Sequence, residues 1–241
     1  MSMNIEQLAN NYQPDQKAVE AVGAADIVLL VGISGAGKDT IQSHLLEKPG
    51  YHKIVTHTTR APRANNGVME QDGREYHFVT REQMQQMLED HELVEVNHYS
   101  GNFYGTSVNE FEVARQLGNV AISNIDVNGV SAFRKISSDN VRALFILPPD
   151  YESWLERLAN RYHSKEELDR VFPSRRMTAI DELEHALSVP YYHFIINDEL
   201  DRAVRVIDEI AHRKDTFNRH DDEARLMARD LLEAIKNHHT A

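Results

Sequence analysis

A glycine-rich segment between Gly32 and Thr40 has the residue types and spacing of a phosphate-binding loop. It reads Gly-Ile-Ser-Gly-Ala-Gly-Lys-Asp-Thr, follows an apolar run of strand length and precedes a helical pattern. The glycines let main-chain N–H groups turn inward toward phosphate oxygens, and the following helix points its positive end at the same place. Lys38 adds a mobile positive charge for the β- and γ-phosphates. This strand–turn–helix context favours a nucleotide phosphate site over a chance glycine turn.

Asp39 departs from the usual pattern of such loops, in which a serine or threonine hydroxyl after the lysine coordinates Mg²⁺. A carboxylate at this position could hold the ion directly or through water, or it could repel phosphate. Thr40 still supplies a hydroxyl at the next position. The sequence therefore predicts a Mg²⁺ ligand at Asp39 or Thr40, bound directly or through water.

A first pair of arginines, Arg60 and Arg63, follows a predicted strand and flanks Pro62. Guanidinium groups bind phosphate through two parallel hydrogen bonds, which lysine cannot do. Tyr76 comes later in the same region, and its hydroxyl could donate to a phosphate oxygen, although strand packing is the simpler interpretation. Taken alone, the two arginines would more often be solvated surface residues.

A second set of arginines occurs further along the chain. Arg157 and Arg161 lie four residues apart on a predicted helix and so share one face. Arg175 and Arg176 come after a polar stretch, residues 162–174, which could form a mobile lid. Phosphoryl transfer needs charge stabilisation, alignment and exclusion of water, and arginines on a closing flap supply these. Without a phosphate loop, a solvated basic helix face would be the better interpretation.

Strand and helix patterns alternate along the chain, which predicts an α/β fold with a parallel sheet and helices on both faces. The predicted strands are Asp26–Val31, Lys53–His57, Leu93–Tyr99, Val120–Ile125, Ala143–Leu147 and His193–Ile196. The predicted helices are Thr80–Glu89, Val108–Leu117, Val127–Ile136 and Tyr151–Arg161. Capping-box patterns, which mark helix starts, occur at Thr80/Gln83, Ser107/Glu110 and Ser164/Glu167. A final amphipathic helix is predicted, with an apolar face formed by Ala224, Met227, Leu231 and Ile235.

Composition excludes several classes of protein. The chain has 241 residues, no cysteine and a formal net charge of −12, which excludes disulfide and thiolate chemistry and disfavours general nucleic-acid binding. No apolar run reaches the roughly 18 residues that a membrane-spanning helix needs, and the N-terminus lacks the pattern of a signal peptide. We therefore expect a cytoplasmic protein without a membrane or nucleic-acid partner.

Taken in order, five blocks of the chain resemble the guanylate kinase (GMP kinase) family of P-loop nucleoside monophosphate kinases. The resemblance extends from about Ile27 to Ile207, and the segment 195–200 also fits. The five blocks are Gly32–Thr40, Thr58–Arg63, Gly73–Thr80, Tyr99–Ser107 and Asn124–Gly129. The resemblance implies an α/β fold with a three-layer P-loop NTPase core and parallel sheet, a lid, and a small GMP-binding subdomain with mixed or antiparallel strands.

The resemblance also implies a division of the chain and a reaction. Residues 1–24 would form an N-terminal extension, residues 25–210 the kinase-like domain and residues 211–241 a C-terminal helical extension. Within the domain, the GMP-binding segment would span about 59–107 and the lid about 161–176. The implied reaction is Mg²⁺-dependent, direct in-line transfer of a phosphoryl group from ATP to GMP. The oligomeric state, monomer or homodimer, stays open.

Matching positions imply roles for individual residues. The residues implied to be catalytic are Lys38, Arg60, Arg157, Arg161 and Arg176. The residues implied to bind ATP are Ser34, Gly35, Ala36, Gly37, Lys38, Asp39, Thr40 and, near the adenine, Asn197. The residues implied to bind GMP are Thr56, Arg60, Arg63, Tyr76, Glu95, Tyr104, Gly105, Thr106 and Asp126. A carboxylate at Glu95 can accept from both N1–H and the exocyclic amine of guanine, a donor pair that adenine lacks.

Asn124 departs from the family pattern, which has aspartate there as well as at Asp126, so metal or GMP contacts could be weaker. Two alternatives to a GMP kinase stay open. Aspartate also follows the loop lysine in the ribose bisphosphokinase family of phosphonate metabolism, although Glu95, Thr106 and the first arginine pair suit a purine monophosphate. Non-catalytic guanylate-kinase-like binding modules usually lose the lysine that this chain keeps as Lys38.

Overall fold

The computed structural model of the chain describes residues 4–65, 68–162, 164–212 and 221–239. Parts of the two predicted extensions, the GMP-binding segment and the lid lie outside the described residues, namely 1–3, 66–67, 163, 213–220 and 240–241. Among the described residues, no helix combines the length and the apolar character needed to cross a bilayer.

Helices and strands alternate through most of the described chain. The helices are α1 Ile5–Asn11, α2 Gln16–Ala24, α3 Lys38–Leu46, α4 Arg81–Glu89, α5 Val108–Leu117, α6 Val127–Ile136, α7 Tyr151–Ala159, α8 Lys165–Ser188, α9 Leu200–His212 and α10 Asp221–Asn237. The strands are β1 Ile27–Val31, β2 Tyr51–Lys53, β3 His57–Thr58, β4 Ala64–Asn65, β5 Val68–Met69, β6 His77–Phe78, β7 Leu93–Tyr99, β8 Asn102–Ser107, β9 Val120–Asn124, β10 Val141–Leu147 and β11 Tyr192–Ile196.

The structure confirms an α/β fold with a parallel sheet and a second, mixed sheet. The five parallel strands lie in the order β11-β10-β1-β9-β2, and the mixed sheet has the order β6-β3-β8-β7. β4 and β5 pair with each other as a separate antiparallel ribbon. Every residue of β1 is buried, as is usual for a parallel strand that is covered on both faces.

The chain divides into two compact units. The first unit consists of Met1–Ile27, Gly50–Ser123 and Ala132–Val141. The second unit consists of Val28–Pro49, Asn124–Ser131 and Arg142–Ala241. The mixed sheet belongs to the first unit, and the glycine-rich loop with α3, α7, α8 and α10 belongs to the second.

The predicted strand Lys53–His57 is two shorter strands in the structure. β2 ends at Lys53 and β3 begins at His57, so the chain changes from one sheet to the other in between. Ile54 and Val55 keep the apolar pattern of a strand because they are buried, at 4% and 7% exposure. The Val55 N–H donates to the carboxylate of Glu110 at 3.0 Å instead of to a neighbouring strand. Burial outside a regular strand ladder therefore explains why the predicted strand is too long.

The capping box predicted at Ser107 does not form, whereas the one predicted at the start of α4 does. Ser107 makes no side-chain capping hydrogen bond at the start of α5. The Glu110 carboxylate, which the box requires, lies 3.3 Å from His52 Nε2 and 3.2 Å from His77 Nε2. Glu110 is only 8% exposed, and a buried carboxylate needs several polar partners. Tertiary contacts of the first unit therefore outcompete the local cap.

The polar stretch after Arg161, predicted to be a lid, is helical from Lys165 onward. α8 is 24 residues long and contains Pro173. The C-terminal helix α10, predicted from its amphipathic pattern, packs against α8, α7 and β11. Its buried positions include Ala224, Leu231 and Ile235. The partner of this helix, which the sequence did not identify, is therefore α8, the long helix that includes most of the predicted lid segment.

Candidate active site

Glycines allow the loop after β1 to turn tightly into α3. Gly37 caps the start of α3 and has a φ of 95°, in the left-handed region. Gly32 has a φ of 134°, and a Cβ there would collide with the main-chain oxygen of Ile146. A Cβ on Gly37 would collide with the side-chain amide of Asn197. Because only glycine fits these positions, the loop can turn its N–H groups toward an anion at the start of α3.

Side chains from α7 and from the end of β11 hold this loop in place. The indole N–H of Trp154 donates to the main-chain oxygen of Ser34 at 2.8 Å. The side-chain amide of Asn197 donates to the main-chain oxygen of Ala36 at 2.8 Å, and Arg157 donates to the main-chain oxygen of Asn197 at 2.9 Å. Asn197 is 6% exposed, and its side-chain amide is hydrogen-bonded to the loop. Its contact with adenine stays a prediction.

A pocket of about 180 Å³ opens at the loop. Its lining residues are Gly32, Ser34, Gly35, Gly37, Lys38, Asp39, Arg161, Arg175, Thr178 and Glu182. The Lys38 ammonium group donates to the main-chain oxygens of Gly32 and Ile33. Burial lowers the pKa of Lys38, since the charged form loses hydration there. A phosphate group in this pocket would give the ammonium group a charged partner and offset that lost hydration.

Asp39 lines the pocket, whereas Thr40 is not among its lining residues in the described part of the chain. The Asp39 side chain is 77% exposed and lies 3.4 Å from Arg161 Nη2. Its other oxygen accepts from the side-chain amide of Asn124 at 2.8 Å. Mg²⁺ binds through one or two carboxylates together with waters and substrate phosphates. An exposed carboxylate beside a phosphate pocket fits that ion, so Asp39 is the better of the two candidate ligands.

Two neighbouring arginines of α8 have different partners. Arg175 lines the pocket, and its Nε donates to the Tyr162 hydroxyl at 3.2 Å. Arg176 donates, at 2.6 to 2.8 Å, to main-chain oxygens at the end of α10, those of Ile235, Lys236 and His238. Successive helical residues differ by about 100° in direction, which separates the two side chains. The structure therefore does not bring Arg176, the predicted catalytic residue, to the pocket.

The helical spacing of polar residues in the sequence could have identified the face of α8 that lines the pocket. Arg175, Thr178 and Glu182 are separated by three and four residues, so they share one side of the helix, and all three line the pocket. Burial raises the pKa of Glu182 to about 7, against the opposing effect of the Lys38 charge. Near neutral pH, this carboxyl group is therefore only partly ionised.

In the first unit, the arginines predicted to bind the acceptor phosphate surround one buried carboxylate. Glu70 is 8% exposed, and Arg60 Nη2 lies 2.9 Å from its Oε2. The Arg63 N–H donates to the same oxygen at 3.0 Å, and Arg63 Nε lies 3.4 Å from Oε1. Burial opposes ionisation, but the hydrogen bonds from Arg63 and Arg60 still hold the pKa of Glu70 below its usual value. No pattern in the sequence distinguishes Glu70 from a surface acid.

Tyr76 and Tyr104 lie beside this arginine pair. The guanidinium carbon of Arg60 is 5.1 Å from the ring centroid of Tyr76. The rings of Tyr76 and Tyr104 are 6.1 Å apart and inclined at 64°. β3 pairs with β8 so that Thr58 is opposite Tyr104, and Arg60 follows Thr58 by two residues. Strand pairing therefore gathers guanidinium and hydroxyl donors suited to one phosphate group.

Glu95 and Thr106 form a hydrogen-bonded pair on adjacent strands. They are opposite each other in the register of β7 and β8, and Thr106 Oγ1 donates to Glu95 Oε1 at 2.8 Å. The side-chain amide of Asn97 donates to Glu95 Oε2 at 2.7 Å. Gly105 packs closely here, since a Cβ on it would lie 2.9 Å from the Leu93 side chain. The result is an oriented carboxylate that could accept two N–H groups from a base.

Two further residues predicted to bind GMP make local contacts with the main chain. Thr56 lies before β3, and its main-chain oxygen accepts from the His77 N–H at 3.0 Å. Asp126 belongs to the second unit, and its carboxylate accepts from the Gly129 N–H at 2.7 Å near the start of α6. Their contacts with a nucleotide stay predictions.

Comparisons with known proteins agree with one another. A family model described as guanylate kinase matches residues 24–214. A guanylate kinase of Synechocystis sp. is 34% identical over 192 residues, covering 79% of this chain and 93% of that protein. A guanylate kinase of Pseudomonas fluorescens is 37% identical over 172 residues, covering 71% of this chain and 79% of that protein. The crystal structure of guanylate kinase from Anaplasma phagocytophilum is similar, with a TM-score of 0.54, 29% identity and coverage of 78% of this chain and 84% of that one.

Proposed function

Because the chain belongs to the guanylate kinase family, we propose that it transfers the γ-phosphoryl group of ATP to GMP, forming ADP and GDP. The observation that carries the proposal is the pocket at the glycine-rich loop, where Lys38, Arg161 and Arg175 are all lining residues. Cations beside a glycine-rich loop at the start of a helix suit a polyphosphate. The first unit supplies an arginine cluster and an oriented carboxylate, which suit a purine monophosphate as the acceptor.

In the proposed donor site, the β- and γ-phosphates of ATP bind at the start of α3. Lys38 turns from main-chain oxygens of the loop to phosphate oxygens, and Arg161 and Arg175 neutralise charge on the transferring group. Mg²⁺, held by Asp39 directly or through water, adds charge neutralisation when bound. We place the reaction in the cytoplasm, where ATP, GMP and Mg²⁺ are all present.

In the proposed acceptor site, GMP is held by its phosphate and by its base. Arg60 and Arg63 share their donors between Glu70 and the phosphate, and the hydroxyls of Tyr76 and Tyr104 contact the same group. A phosphate oxygen of GMP forms a bond to the γ-phosphorus while the bond to the bridging oxygen breaks, and ADP leaves with that electron pair. The protein forms no covalent intermediate.

A coupled ADP-release assay tests the proposed function. Purified protein is given ATP, Mg²⁺ and one acceptor at a time from GMP, dGMP, IMP, AMP, UMP, CMP and ribose 1,5-bisphosphate. We expect kcat/KM for GMP to exceed that for AMP by on the order of a thousandfold, because adenine lacks the pair of N–H donors that the Glu95 carboxylate can accept from guanine. Preference for the ribose bisphosphate, or GMP binding without turnover, would contradict the proposal and support a related kinase or a binding module.

Glu95→Gln is expected to lower the GMP-over-AMP preference roughly a hundredfold while KM for ATP changes less than about twofold. The glutamine amide has an NH₂ donor in place of one acceptor oxygen. This donor would face an N–H group of guanine and could not accept a hydrogen bond from it. The measurement is kcat/KM for both acceptors in the same assay. Glu92→Gln is the matched control, because Glu92 is an exposed glutamate next to the same strand. An unchanged GMP-over-AMP preference in Glu95→Gln would remove Glu95 from the base site.

A further inference from the structure

α1, which belongs to the predicted N-terminal extension, packs against the sheet that carries Glu95. Ile5 is 5% exposed and lies in a buried apolar cluster. The other buried members of this cluster are Met84, Leu88, Leu93 and Phe103. Residues 1–24, as far as they are described, therefore build part of the interior of the first unit.

Tyr12, which follows α1, contacts the main chain of β7. Its hydroxyl donates to the Leu93 oxygen at 2.6 Å and accepts from the Leu93 N–H at 3.2 Å. Leu93 is 0% exposed, so its main chain is covered from solvent in this arrangement. β7 is an edge strand of the mixed sheet, and an edge needs partners for its outward N–H and C=O groups. Burial raises the pKa of Tyr12 to about 12, so the hydroxyl keeps its proton at neutral pH.

The contact lies at an irregularity in β7. Leu93 is opposite Ser107 while Glu95 is opposite Thr106, so Val94 is an extra residue and the strand bulges there. Side chains alternate along a strand, and the bulge therefore decides which face of the sheet Glu95 presents. A slip of one residue would separate the Glu95 carboxylate from the Thr106 hydroxyl that orients it.

We propose that Tyr12 is a positioning residue for recognition of the base, because its hydroxyl holds the bulge of β7 in the register that presents Glu95 to guanine. The inference rests on the proposed function, since it takes Glu95 to be the carboxylate that reads the base. Tyr12 does not touch the nucleotide and acts through the main chain of Leu93. The N-terminal segment thus contributes to substrate selection as well as to stability.

Tyr12→Phe tests the proposal because it keeps the ring and removes the hydroxyl. We expect KM for GMP to rise roughly tenfold and the preference for GMP over IMP to fall several-fold, since a buried main-chain pair loses its partner. The same variant should change kcat and KM for ATP by less than about twofold. Residue-resolved amide hydrogen exchange by NMR should show the Leu93 N–H exchanging at least roughly tenfold faster.

Two control variants separate the hydroxyl from general effects. Tyr99→Phe makes the same change on β7 at a side chain that is 72% exposed, and it should leave KM for GMP and Leu93 exchange unchanged. Glu6→Gln weakens the ion pair between α1 and Arg81. It should lower the unfolding temperature slightly and leave KM for GMP unchanged, because the Tyr12 hydroxyl is still present.

The remaining outcomes contradict the inference in distinguishable ways. Faster Leu93 exchange in Tyr12→Phe with unaltered KM and base preference would make the hydroxyl a purely structural group. Unaltered Leu93 exchange would show that the hydroxyl does not hold this edge of β7 in solution. Parallel losses in kcat and in ATP binding would indicate general destabilisation. Failure of the proposed function itself appears in the wild-type protein as absence of GMP turnover, before any variant is compared, and removes the inference with it.

Discussion

Lys38→Ala is expected to reduce kcat with ATP and GMP by on the order of a thousandfold or more, because phosphoryl transfer depends mainly on positioned charge. The Lys38 ammonium group lies at the loop, on the main-chain oxygens of Gly32 and Ile33, from which it can reach bound phosphates. Arg161 and Arg175 would still line the pocket, so phosphate binding should weaken less than turnover falls. ADP release measures kcat, and calorimetry with a non-hydrolysable ATP analogue measures binding.

Lys48→Ala is the matched control for this loss. Lys48 belongs to the same unit, and its ammonium group lies 2.5 Å from a carboxylate oxygen of Asp208. This variant removes one lysine charge without touching the glycine-rich loop, so turnover should stay within about twofold of wild type, as is usual for a surface ion pair. Undiminished turnover in Lys38→Ala would place the phosphoryl donor somewhere other than this loop.

Arg175→Ala is expected to lower kcat by roughly a hundredfold to a thousandfold with little change in unfolding temperature. Arg175 lines the phosphate pocket, and its side chain is otherwise bonded to the Tyr162 hydroxyl. Loss of the guanidinium group removes charge stabilisation from the transferring phosphoryl group, while few packing contacts are lost from an exposed side chain. The measurements are kcat by ADP release and the midpoint of thermal unfolding by circular dichroism.

Arg176→Ala, made alongside it, is expected to show the opposite pattern. Its guanidinium group holds three main-chain oxygens at the end of α10, and leaving such groups without a partner costs about 1–3 kcal/mol. The unfolding temperature should therefore fall, while kcat stays within a few-fold of wild type. A large loss of kcat in Arg176→Ala without destabilisation, together with near-normal turnover in Arg175→Ala, would restore the assignment that the sequence resemblance implies.

The two departures from the family pattern at the phosphate loop contact each other. Asp39 stands where a hydroxyl residue is usual, Asn124 stands where an aspartate is usual, and the Asn124 amide donates to Asp39 Oδ1 at 2.8 Å. The loop therefore carries a carboxylate that is hydrogen-bonded to the side-chain amide at the end of β9. Each departure taken singly weakens the resemblance to the family. In the structure the two residues are hydrogen-bonded to each other.

Local patterns explain which features could be predicted. The glycine spacing before Lys38 requires a particular main-chain conformation, and that conformation depends on residues next to each other in the chain. The α4 cap and the amphipathic face of α10 are likewise set within one or two helical turns. By contrast, the break between β2 and β3 depends on Glu110, which is more than fifty residues away from Val55.

The amino-acid sequence by itself determined the family and the α/β fold class, because these follow from short-range spacing and from the order of blocks. Only the tertiary structure decided that Arg175 lines the pocket while Arg176 caps α10. It also decided that Glu70 pairs with Arg60 and Arg63 and that the Tyr12 hydroxyl contacts the edge strand β7. The physical reason is that the partners of these side chains lie on elements that are distant in the sequence. Spacing along the chain does not show which distant donor pairs with which acceptor.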